Sequence, residues 1–221
     1  MTVNPLRHDL PKHPFSERLG AVCLVIGSTL LAVYAILFPL LLPLQRAGMD
    51  YPRLVLSPSW PWLALAAFIG VILLLAGLDD VYSMVRARAG WTGSVGFLLM
   101  KAAVLLQACA LTWELLLDPI VAAHAESVFL LRDGIILRNP GVTIFRWVSV
   151  FTLVAGLTLS GVAVYRSQQF SRASLALIAI GALTYAVGPM FSVFLGVGGV
   201  IALAVGCLMI GVQVWRAARP V

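Results

Sequence analysis

The chain has 221 residues, 61% of them apolar and only 11% charged, and its mean hydropathy is +1.00. Soluble domains carry about a quarter of their residues as charges, so this composition excludes a soluble globular fold and points to an integral membrane protein. The net charge of +6 comes from fifteen basic residues scattered among the connections rather than gathered into a patch, which argues against nucleic acid as a partner and for a role in membrane orientation.

Residues 1–18 read as a cytoplasmic tail. Pro5, Pro11 and Pro14 stand there among charges, and no compact apolar core with a cleavage site marks a signal peptide. Six apolar segments follow, over about 19–43, 61–84, 94–117, 144–166, 173–188 and 190–215. About 20 apolar residues cross about 30 Å of hydrocarbon as a helix. The expected fold is therefore an all-α integral membrane protein: one domain over 19–216, built as a six-transmembrane-helix bundle.

Local signals place the breaks. Pro39 and Pro43 predict a bend at the far end of the first span. A polar connection with Arg46, Asp50, Pro52 and Arg53 leads to Trp60 and Trp62, which mark the interface where the second span begins. Residues 90–93 turn the chain, so the second and third spans form an antiparallel pair. Asp118-Pro119 ends the third span and opens one longer extracytoplasmic loop, about 119–143. In that loop apolar runs flank Arg132-Asp133-Gly134; a β-hairpin turn and an interfacial helix account equally for the pattern. Arg146 and Trp147 open the fourth span. The fifth is short, covering only about 24 Å, and needs little tilt or a locally thinned membrane. Gly188-Pro189 reverses the chain into the sixth.

Six spans put both termini on one side. With the termini inside, nine basic residues face the cytoplasm: Arg7, Lys12, Arg18, Arg86, Arg88, Arg166, Arg172, Arg216 and Arg219. Arg46, Arg53, Arg132, Arg138 and Arg146 then lie outside. This bias predicts an inner-membrane protein with both termini cytoplasmic.

Charge inside a span is costly and needs a reason. Asp80 and Lys101 lie equidistant from the turn and are expected to pair, with Asp79 as the other candidate partner. Such a pair either locks the hairpin or lines a polar cavity. On the third span Gln107, Glu114 and Asp118 fall on one helical stripe with Met100 and Leu111, and Lys101 is displaced from it. Glu114 or Asp118 is expected to pair with Arg146 and close the outer end; alternatively, Gln107 and Glu114 floor a binding pocket with Trp113 nearby, on the polar face that ends at Asp118. Frequent glycines in the last three spans predict close helix packing. Tyr34, Tyr82, Tyr165 and Tyr185 read as interfacial or hydrogen-bonded packing residues rather than cofactor ligands.

No strong catalytic or cofactor motif is present. Cys23, Cys109 and Cys207 fall in different spans with no CxxC, and the histidines, His8, His13 and His124, all lie outside the spans; no metal or redox centre is expected. A phosphate-binding loop, an HExxH pair and a serine nucleophile elbow are all missing. No cofactor is predicted. The two halves also lack the matching features of an inverted-repeat carrier. The expectation is a non-catalytic membrane protein, a binding, accessory or assembly component, whose partners are membrane lipids and either another membrane subunit or a small apolar ligand. A small-molecule or proton-coupled transporter using the polar face of the third span is the alternative, and a lipid-modifying enzyme the third reading. Oligomeric state is not legible.

Overall fold

The computed structural model describes residues 14–41, 51–188 and 191–217. The expected features at Pro43, Arg46, Asp50 and Pro189, and most of both terminal tails, lie outside these. The described residues are 91% helical, without strands: α1 (Pro14–Leu41), α2 (Tyr51–Val55), α3 (Trp60–Ala123), α4 (Val128–Arg132), α5 (Ile135–Arg138), α6 (Pro140–Ser167), α7 (Arg172–Val187) and α8 (Val193–Ala217). Four helices among them are long and apolar enough to cross a membrane, within α1, α3, α6 and α8, and α7 is a shorter apolar helix.

At 64 residues α3 would run about 96 Å if straight, roughly three times the hydrocarbon thickness. It does not run straight. Gly90 has φ 60° and ψ −166°, a conformation essentially restricted to glycine, and the helix folds back there into two arms, residues 60–89 and 91–123. Contacts across the fold-back fix the register. Near the turn the Tyr82 and Ser94 hydroxyls are 2.9 Å apart; midway, Ala67 and Val71 pack on Ala108 and Leu111. At the far end the Trp60 indole N–H donates to the Glu114 carbonyl at 3.0 Å.

The arms and the long helices close into a ring. Glycine makes most seams, because a missing Cβ lets backbones approach. A Cβ on Gly27 of α1 would lie 2.7 Å from the Gly70 carbonyl oxygen of the first arm, and one on Gly156 of α6 would lie 2.6 Å from the Met100 nitrogen of the second arm. A Cβ on Gly181 of α7 would lie 2.8 Å from the Gly199 carbonyl oxygen of α8, and one on Gly211 of α8 would lie 2.8 Å from the Val25 side chain of α1. The seam between α6 and α7 completes the ring and is sparser than the α3–α6, α1–α3, α7–α8 and α1–α8 seams.

Each end of the ring is plugged. At the Gly90 end, Leu24, Val85, Phe97, Val164, Phe170 and Val214 form the largest buried cluster; the Arg88 guanidinium donates to the Ser167 carbonyl at 2.7 Å, and Arg18 lies 5.8 Å from the Trp215 ring. At the opposite end Trp60 is fully buried with Val55, Ala64 and Ala122. Trp60 is thus a packing residue, edge-on to Tyr51 with ring centroids 5.9 Å apart, whereas Trp62 is exposed.

The segment after Asp118 forms neither a β-hairpin nor the single helix expected through Val121 to Leu131: helix is broken at 124–127. Pro119 does not end α3, which continues to Ala123. Proline removes a backbone hydrogen bond, but here Ala122 is packed against Trp60 and Asp118 is tied to Tyr51, so tertiary contacts hold the last turn. α4 and α5 then form two short helices joined at Gly134, whose φ of 66° and ψ of 22° are left-handed. Asn139 caps α6, its side chain accepting from the Gly141 N–H at 2.9 Å.

Candidate functional site

The ring encloses a cavity of about 1180 Å³ walled by α1, both arms of α3, α6, α7 and α8. Its walls are mainly aliphatic. Several hydroxyls in the wall are turned back on their own helices: Ser28 donates to the Val25 carbonyl at 3.1 Å, Thr158 to Val154 at 2.7 Å and Ser160 to Gly156 at 2.6 Å. Such bonds satisfy the hydroxyl locally and leave the wall effectively apolar.

One polar cluster interrupts it, away from the Gly90 end. The Tyr34 hydroxyl of α1 donates to Glu114 Oε2 at 2.9 Å, and the Tyr185 hydroxyl of α7 donates to Gln107 Oε1 at 3.2 Å. Gln107 and Glu114 share one face of the second arm two turns apart, so this face presents two acceptors to tyrosines from opposite parts of the ring. All four cluster residues line the cavity. No buried side-chain nitrogen or oxygen among the described residues lacks a hydrogen-bond partner. The cluster can therefore accept a ligand's polar group by exchanging bonds already made.

The stripe read from the sequence divides here. Gln107 and Glu114 face the cavity; Asp118 and Trp113 do not line it. Asp118 is buried beneath α2, accepting from the Tyr51 hydroxyl at 2.7 Å. Burial, and then the Asp118 carboxyl, push the Tyr51 hydroxyl well above its ordinary value, so it remains a donor. The expected ion pair of Glu114 or Asp118 with Arg146 is not formed: both carboxyls are engaged by tyrosines, while Lys101 pairs with Asp79.

That pair corrects the inner charge set as well. Lys101 bonds Asp79, not Asp80. Successive helical residues point about 100° apart: Asp79 faces the second arm, while the Asp80 carboxylate lies over Gly20 of α1. Asp79, Asp80 and Lys101 are absent from the cavity wall, and the Asp79 side chain is exposed.

Tyr34 and Tyr185, expected from the sequence as interfacial or hydrogen-bonded packing residues, are part of the site. A phenol in the middle of an apolar span needs a hydrogen-bond partner, and that requirement is the signal that could have joined them to Gln107 and Glu114. Arg166 and Arg172 also reach the cavity, at its opposite end beside Tyr165. No group of three or more His, Cys, Asp or Glu able to hold a metal occurs among the described residues. Comparison of the chain with protein-family models, with curated proteins and with solved structures finds no match.

Proposed function

We propose that the chain is a six-crossing inner-membrane protein, with both termini cytoplasmic, that binds an amphiphilic small molecule in its central cavity and performs no chemistry on it. The observation that carries this reading is the cavity: about 1180 Å³ of mainly aliphatic wall with one hydrogen-bonding cluster, Tyr34, Gln107, Glu114 and Tyr185. Ligand sites are commonly apolar with a few placed polar groups and about 300–1,000 Å³ in volume. This one suits a long apolar body with a small polar end. The fold-back at Gly90 supports counting α3 as two crossings, and α7, packed along α8 through Gly181 and Gly199, supports a sixth.

Native mass spectrometry of the protein purified in mild detergent tests the reading. A lipid-sized adduct should survive purification, and Gln107→Leu with Glu114→Gln should weaken its retention while the protein remains folded. A wild-type protein that neither carries nor retains any added amphiphile would refute it. Transport is the second reading, favoured by the carboxyl of Glu114 inside the cavity. Uptake into proteoliposomes that is lost in Glu114→Gln would select it over simple binding.

A further inference from the structure

The cavity is not closed equally on all sides. Every lining residue that is also exposed belongs to α6 or α7. On α6 these include Thr158, Val162 and Tyr165, and on α7 Ala176, Ala179 and Leu183; spacings of three and four residues place each set on one helical stripe. The two stripes belong to the ring's sparse seam. Gly161, in the same wall, has nothing within 4 Å of the position a Cβ would take, whereas the seam glycines Gly156 and Gly181 would collide with backbone at 2.6 and 2.8 Å. A slot therefore connects the cavity to the outer surface of the ring between α6 and α7.

The end of the slot nearest the 168–171 turn carries a basic pair. Arg166 and Arg172 are both exposed and both line the cavity, and the Arg172 guanidinium stands 5.9 Å from the Tyr165 ring. Among the described residues neither is in an ion pair. The rest of the rim is mostly Val, Ala, Leu and Tyr. An apolar rim suits a slot that faces acyl chains, and two arginines at one end suit a phosphate at headgroup depth.

Resting on the binding function proposed above, we infer that the α6–α7 slot is a lateral entrance for an anionic phospholipid of the adjacent leaflet. Its chain passes between the two stripes into the cavity while its phosphate is held by Arg166 and Arg172.

The test compares phosphatidylglycerol with phosphatidylcholine of identical chains, added to delipidated protein and read by native mass spectrometry. Wild type should retain the anionic lipid by about tenfold over the zwitterionic one. The R166Q/R172Q double variant should bind both equally, and Arg86→Gln, an exposed arginine near the same end but outside the cavity wall, should keep the preference. Gly161→Phe should plug the slot and lower retention of both lipids with the melting temperature unchanged. A preference absent from wild type, retained in R166Q/R172Q or lost equally in Arg86→Gln overturns the headgroup assignment, and undiminished retention in Gly161→Phe overturns the entrance. Either result leaves the cavity reading standing, and retention of neither phospholipid overturns the lipid entrance, whereas the cavity reading falls only if wild type retains no other added amphiphile either.

Discussion

Gly156 and Gly161 lie five residues apart on α6 and carry opposite constraints. Gly156 packs against the backbone at Met100, and Gly161 borders open space. Gly156→Val should therefore destabilise the protein by about 1–3 kcal/mol through overpacking. Gly161→Ala should change stability by no more than about 1 kcal/mol, in the favourable direction, because alanine is the better helix former. Thermal unfolding in detergent distinguishes them, and equal losses in the two variants would contradict the packing described. Tyr51 offers a polar counterpart. Tyr51→Phe leaves the buried Asp118 carboxyl without its donor and should cost about 1–3 kcal/mol; a neutral result would mean that another group takes over the bond.

At the scale of the element, α3 depends on a single backbone position. Nothing stands within 4 Å of a Cβ on Gly90, so the cost of Gly90→Ala is conformational alone, about 1–3 kcal/mol, and should appear as a lower melting temperature. The register across that turn also explains why the inner charges divide as they do. The polar turn and the antiparallel pair are legible in the sequence, but equidistance from the turn favoured Asp80 for Lys101. A difference of one residue and 100° of rotation gives the pair to Asp79 and turns Asp80 towards α1. Pro119 is a similar case: the local signal for a helix end is real, and the packing of Ala122 on Trp60 overrides it.

For the whole molecule, the proposed orientation places the Gly90 turn and both termini in the cytoplasm and the 124–139 segment outside. In a protein freed of its native cysteines, Glu126→Cys should react with a membrane-impermeant thiol reagent in intact cells. Trp91→Cys, also at an exposed position, should react only after permeabilisation. The reverse pattern would invert the proposed topology.

Composition and the length of the apolar segments by themselves pointed to a helical, membrane-embedded chain, because hydrocarbon leaves the backbone no partners but its own. They also singled out Gln107 and Glu114, since polar side chains within an apolar span are conspicuous. Only the tertiary structure decided what those residues face. Tyr34, Tyr185, Arg166 and Arg172 come to the cavity from three other helices, and no spacing along one chain segment encodes which helices become neighbours in a ring. The slot between α6 and α7 is likewise a property of the assembled seams: it exists where close glycine contacts hold the neighbouring seams but not this one.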